Sequence, residues 1–339
     1  MNKIHFILLF VSIFFISCQQ QNTAPKKTNG KINNISVIID DLLWNGEIGD
    51  SIRNKFASPV IGLPQEEPLF TINQYPVKLM EGFMTDNRNI IVIKKDTKED
   101  FKIEKNKIAT PQNVFYISGK AANDILCLIQ THSAEIIKIM HQTEIEECQR
   151  INRKALLSTK FLKDSFNIKI EMPANYELML QKNNFVWFKK EIISGNNSIL
   201  IYQIPINSLE TKRDKVSGII KMRDSIGKLY IHGKELNTDM ITEEAYAPYF
   251  SNIVLDYKKA YETKGTWELK NDFMSGPFIN YAIVDKDNDR ILVLEGFCYS
   301  PSKEKRDLML ELEAIIKSVK IDKKQNPKET SKIMAMFSR

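Results

Sequence analysis

Ser300-Pro301-Ser302-Lys303 places a serine three residues before a lysine. That spacing suits an acylated serine with lysine as its base, but the companion S-D-N and K-T-G motifs are absent from the chain. Serine followed by proline is also a helix start, with Ser300 as N-cap and Pro301 in the first helical position, and we read it so. Ser225-Ile226-Gly227-Lys228 repeats the spacing with even less support. The histidines are His5, His132, His141 and His232. His132 and His141 stand nine apart, not the i, i+4 spacing that sets two ligands on one helical face. No C-x-x-C, P-loop, G-x-S-x-G or G-x-G-x-x-G occurs, so no metal and no cofactor is expected. Asp285, Asp287 and Asp289 alternate in DKDND without the later glycine and glutamate of a calcium loop, and read as a polar hairpin turn.

Carboxylates are the one chemistry left open. Two Asp or Glu residues suffice for acid–base hydrolysis, and the chain has 42. Glu295, in ILVLEGFCY, shares a strand face with Val293 and Phe297. Buried there, it needs a partner or stays protonated; on an edge strand it would simply face outward. Glu66 and Glu67 lie in GLPQEEPLF, and Trp44 is nearby in sequence. Loops concentrate binding residues, although Pro64 and Pro68, with Pro59 just before, also make this one a stiffened connection. Trp44, Glu66, Glu67 and Glu295 are the candidate binding residues, and no residue is assigned a catalytic role.

The elements that must position these groups follow from periodicity. NISVIID (34–40) alternates as a strand. Asn45 can open a helix in which Ile48, Ile52 and Phe56 share a face. Strands are expected at 69–74, 89–94 and 113–117, then a long helical region over 121–162 with a bend near 131–133. The second half carries strands at 168–172, 185–192, 198–204, 252–255, 266–269, 278–284 and 290–299, a helix from Asn207 or Ser208 to about Ile226, and a closing helix from Ser300. Strand, short loop and amphipathic helix recur three times. The fold class is therefore α+β, with mainly antiparallel sheets, helices on one face, and room for two similar halves.

The N-terminus supplies an address. Lys3 precedes an apolar run from Phe6 to Ile16, broken only by Ser12 and too short to cross a membrane. It fits a secretory signal segment. Phe15-Ile16-Ser17-Cys18 resembles a bacterial lipobox, which implies that Cys18 carries palmitate-type acyl chains and becomes the mature N-terminus. Residues 19–31 contain no large apolar residue and would span about 20 Å as a flexible chain. No acidic cluster follows Cys18, which favours the periplasmic side of the outer membrane. The expected organisation is a signal peptide (1–17), a lipidated tether (18–31), two α+β halves (32–163 and 164–321) and a disordered basic tail (322–339).

Loss of the first 17 residues removes Lys3, so the net charge falls by one from +6. The excess lysines are dispersed, without the basic stripe and interleaved aromatics of a nucleic-acid binder. Cys127, Cys148 and Cys298 remain besides Cys18. Three cannot all pair within the chain, and Cys127 and Cys298 sit among apolar residues as packed thiols would. A bridge between those two is disfavoured.

Several segments together resemble one family: VIIDDLLWNGEIGDSIRNKF, GLPQEEPLF, NFVWF followed by ILIYQIP, and SGPFINYAIVDKDNDRILVLEGFCYSPSKEKRDLMLELEAII. Over most of residues 34–320 the chain is similar to Bacteroidota lipoproteins carrying domain of unknown function 4837. The resemblance implies a lipoprotein of the cell envelope but no activity, ligand or site. The expected function is a periplasm-facing binding or accessory module, attached to the membrane at Cys18 and serving an envelope protein or ligand. The alternative is an envelope hydrolase or transferase using carboxylates. Cys18→Ala should abolish labelling by a fatty-acid analogue, because no neighbouring residue can form the thioether. Undiminished labelling of the mutant would refute the anchor.

Overall fold

Alternating apolar residues form the strands, and three-and-four spacing forms the helices, mostly where the sequence puts them. The structure, a computed structural model, describes residues 26–79 and 86–323. The signal segment, Cys18 and the tail from 324 onward lie outside the described residues.

The first half runs β1 Lys26–Lys27, β2 Asn34–Ile38, α1 Asp41–Trp44, α2 Glu47–Phe56, β3 Thr71–Tyr75, β4 Asn89–Lys95, β5 Asp100–Lys105, β6 Ala109–Thr110, β7 Asn113–Gly119 and α3 Ala122–Asn152. Five strands form one sheet in the order β3-β2-β4-β7-β5. Here β2 pairs in parallel with β3 and β4, β4 pairs in parallel with β7, and β5 is antiparallel. An antiparallel sheet was expected. A parallel return needs a crossover, and α1 with α2 supplies it between β2 and β3. Ile35 and Val37 meet Ile48, Ile52 and Phe56 of α2 in one core. Ile129 and Met140 of the unbroken, 31-residue α3 close the same core.

Residues 26–31, expected to belong to the tether, are ordered. β1 pairs with β6. Arg88 donates to the Gly30 carbonyl at 3.2 Å and the Lys31 carbonyl at 2.8 Å. Arg88 is itself buried and donates twice, at 3.1 Å, to the buried Glu144 of α3. Glu144 also accepts from the Asn33 amide at 3.1 Å and from Asn89 Nδ2 at 2.8 Å. Backbone carbonyls have no sequence signature, so the polar composition of this stretch concealed its role.

The second half follows with α4 Lys160–Phe166, β8 Ile168–Lys169, β9 Glu177–Lys182, β10 Phe185–Ile192, β11 Gly195–Pro205, α5 Asn207–Glu210, α6 Lys215–Tyr230, β12 Met240–Thr242, β13 Tyr249–Leu255, β14 Lys258–Leu269, β15 Ser275–Asp285, β16 Arg290–Tyr299, α7 Arg306–Lys317 and β17 Lys320–Ile321. Leu162 and Phe166 are buried in the second half's core, so α4 packs with that half rather than the first. An antiparallel sheet runs β12-β14-β15-β16-β11-β10-β9, with β13 also on β14. Helices cover both of its faces, not one. Ile199 and Ile201 pack with α4 and α7, whereas Leu200 and Tyr202 pack with α6. Strands such as SILIYQI are apolar on both sides, so both sides must be covered. The recurring strand–loop–helix pattern is thus realised in two different sheet topologies.

The closing helix α7 starts at Arg306, not at Ser300. Its first turn is capped by a residue from the other half. Glu67 is buried and accepts from the Lys305 amide at 2.8 and 2.9 Å and from the Arg306 amide at 2.7 Å. One face of α7 packs on the large sheet through Leu312, Ile315 and Ile316. The other packs Leu310 and Ala314 against Ile145 and Cys148 of α3. Gly296 of β16 permits the close approach, because a Cβ there would lie 2.9 Å from Leu312 Cβ. Glu67→Ala should lower stability by about 2 kcal/mol, combining a lost cap and lost charged hydrogen bonds. Glu66→Ala, at an exposed neighbour, should cost no more than about 0.5 kcal/mol. Urea midpoints would decide, and equal losses would contradict the capping role.

Candidate functional site

A cavity of about 500 Å³ lies between the two halves, within the range that holds a small ligand. Its floor is β14 and β15, its walls are α3 and α7, and the loop 58–69 covers it. That loop is closed on itself: the Val60 amide donates to the Glu67 carbonyl at 2.8 Å and the Leu69 amide to Ser58 at 2.9 Å. Gly62 sits at φ +85°, and a Cβ there would come within 2.9 Å of Lys264 Cβ. Only glycine tolerates both that backbone and that approach. Ile61, Leu63, Ile137 and Met309 make much of the lining apolar.

A cluster of ionisable groups lies at one side of the cavity, and Lys264, His141, Glu313 and Lys317 of it line the space. Glu262 and Lys264 alternate on one face of β14, opposite Tyr281 and Ile279 of β15. The Tyr281 hydroxyl lies 2.6 Å from Glu262 Oε2 and 3.3 Å from Glu313 Oε1 of α7. Its single proton can serve one carboxylate at a time. Lys317 reaches Glu313 at 2.5 Å, one helical turn on, and His141 of α3 reaches it at 3.4 Å. Burial alone would raise the Glu313 carboxyl, but Lys264, His141 and Lys317 together hold it well below the usual carboxylate range. Burial likewise opposes the Lys264 ammonium, yet Glu313 and Glu262 hold it above its ordinary value. Glu313 and Lys264 therefore stay charged at neutral pH. Among the described residues, no three His, Cys, Asp or Glu side chains converge in a metal-binding arrangement.

The residues singled out in the sequence are dispersed. Trp44 is half-buried on the first core, with the Arg53 guanidinium 4.5 Å over its ring. Glu66 is exposed on the loop, and Glu67 is the helix cap. Glu295 is buried in the middle of the large sheet, not on an edge. Arg223 of α6 donates to its two oxygens at 2.7 and 3.0 Å, and Asn280 donates at 2.7 Å. With its face closed by α6, Glu295 docks a helix. Ser300 is buried with its hydroxyl 2.7 Å from that of Ser194, and Lys303 is exposed. Asp285 is buried and paired with Arg290 at 2.9 Å and Lys258 at 3.2 Å. Cys127, Cys148 and Cys298 are free, and Cys127 is exposed on α3 rather than packed among apolar residues. Burial pushes the Cys148 and Cys298 thiols up to about 12, which leaves them protonated and unreactive.

The loop GLPQEEPLF does form part of the site, but through Gly62, Leu63 and Leu69 rather than its carboxylates. Sequence reasoning missed Glu262, Lys264, Tyr281, Glu313 and Lys317. Two local signals were available: the Glu-x-Lys alternation in YETKG and the Glu313–Lys317 spacing. Neither indicates that the two pairs meet.

Glu313→Gln should cost on the order of 3 kcal/mol at pH 7, because it leaves buried cations uncompensated. The folded carboxyl lies below its unfolded value of about 4.3. Its contribution is therefore complete above that pH and lost as pH falls toward the folded value. The gap between the urea midpoints of wild type and mutant should hold steady above about pH 5 and narrow as pH falls below about 4, and a gap that widens over that lower range would contradict the assignment.

Residues 155–318 match a family described as a domain of unknown function, DUF4837. Residues 28–153 match a second family, the domain of unknown function DUF8532. No curated protein matches the chain. Among solved structures, the cyanobacterial PsbP of Synechocystis sp. PCC 6803 is 9% identical, covering 49% of this chain and 89% of its own, with a TM-score of 0.33. The Ran-binding protein Mog1p of Saccharomyces cerevisiae is 10% identical over 45% of this chain and 89% of its own, at 0.29. LpqN of Mycobacterium tuberculosis, described as involved in cell envelope biogenesis, is 12% identical over 45% and 81%, at 0.27. The sequence resemblance to DUF4837 was drawn over most of residues 34–320; the match to that family covers residues 155–318, residues 28–153 match DUF8532, and the cavity is lined from both stretches.

Proposed function

We propose that the protein is a non-catalytic binding module of the cell envelope, and that the cavity between its halves is the ligand seat. The observation that carries this reading is the cavity's construction. Both halves contribute apolar wall, and an ion-paired cluster supplies a few convergent polar groups at fixed positions, as small-molecule sites do. The signal segment and the lipobox-like Phe15–Cys18 support attachment by lipid at Cys18. The resemblance to Bacteroidota lipoproteins supports a place on the periplasmic face of the outer membrane.

The alternative, a hydrolase or transferase, would use Glu262 and Glu313. A carboxylate mechanism needs one carboxyl kept protonated as general acid. Glu313 is held as a carboxylate by Lys264, His141 and Lys317, and Glu262 pairs with Lys264. This arrangement favours binding over proton transfer.

The test uses the chain from residue 18, produced without the leader and so unlipidated, with the neutral probe N-phenyl-1-naphthylamine. Saturable fluorescence enhancement is expected. Ile137→Trp, which fills the cavity from α3, should weaken it by roughly tenfold or more. Ile193→Trp, at a fully exposed turn, should leave it unchanged. Absence of enhancement, or an unaltered response in a well-folded Ile137→Trp protein, would overturn the seat.

A further inference from the structure

Resting on that reading of the cavity, we infer that the ligand is an anionic amphiphile, a single apolar chain ending in a carboxylate or phosphate head. The apolar part follows from the walls, and the sign of the head follows from the cations that have bonding capacity to spare. Four cations line the cavity, Lys138, Lys264, Arg306 and Lys317, with one carboxylate, Glu313, among the described lining residues.

The partners of each cation identify which are free. Arg306 donates to Asp307 at 2.8 Å, to the Pro68 carbonyl at 3.0 Å and to Thr71 at 3.2 Å. It is occupied in holding the loop. Lys317 is closely paired with Glu313. Lys264 is different. Its one ion pair among the described residues is with Glu262 at 3.4 Å, and an ammonium has three protons to donate. Its side chain is 27% exposed, so it is reachable yet shielded enough for a strong interaction. Lys138, exposed where α3 borders the cavity, makes no ion pair or hydrogen bond among the described residues. An anionic head would complete the bonding of Lys264 and bring Lys138 a partner. A cationic head would compete with Lys264 for Glu262, and a neutral head would leave both ammonium groups as they are.

The experiment is displacement of N-phenyl-1-naphthylamine from the same unlipidated chain. Competitors are dodecanoate, dodecyl phosphate, dodecan-1-ol and dodecyltrimethylammonium, each below its aggregation threshold. At least one of the two anions should displace the probe at roughly tenfold lower concentration than the alcohol, and the stronger of the two identifies the head. The cation should be the weakest. Lys264→Gln should bring anion and alcohol to within about threefold of each other. Should Lys264→Gln fail to fold, Lys138→Glu at the exposed rim should still weaken the anion and spare the alcohol. Equal displacement by anions and alcohol, or tighter binding of the ammonium, overturns this inference while leaving the seat in place. Failure of all four to displace the probe overturns both.

Discussion

The buried Glu67 carboxylate is the constraint on which the rest of the molecule depends. A helix start leaves amide protons without partners, and here the closing helix receives its acceptor from a loop some 240 residues earlier. Negative charge at that end is also favoured by the helix dipole. The bond does two things at once. It seats the last helix between the large sheet and the long helix of the first half, and it fixes the loop 58–69 as the cover of the cavity. The last helix and the cover are therefore tied together across the halves, by Glu67 and by the bonds from Arg306 to Pro68 and Thr71.

Three buried ionic clusters differ in how fully their charges are satisfied. Arg88 with Glu144 and Arg223 with Glu295 are enclosed, and the carboxylate in each receives several hydrogen bonds. Burying such pairs gains little net stability, but removing one partner is costly, so they specify register and helix placement. The cluster around Glu313 is built from the same residue types but opens on a cavity. There Lys264 is only loosely paired. The difference lies in satisfaction rather than composition: closed clusters position elements, and the open one retains capacity for a ligand.

Much of the second half was legible. FVWFKKEI and RILVLEGFCY were read with the bounds the structure has, because apolar β-branched and aromatic residues fill both faces of central strands. DFKIEK and ELMLQK were not read as strands, since edge strands expose most of their residues and lose the alternation signal. KKAYETKGTWEL was recognised only at its end, because its charged residues sit on a face that looks solvated until the first half covers it. The start of the closing helix was misplaced by the Ser-Pro signal. The true cap is distant in sequence, and no local pattern points to it.

By itself the sequence determined most of the secondary elements, the α+β class and the signal-like N-terminus, because each rests on periodicity or spacing within a few residues. The site was decided by tertiary structure alone. Glu262, Lys264, Tyr281 and Glu313 come from separate strands and a helix, with His141 added from the other half. Charge, burial and spare hydrogen-bonding capacity are properties of an environment. That environment exists only once the two halves have packed against each other.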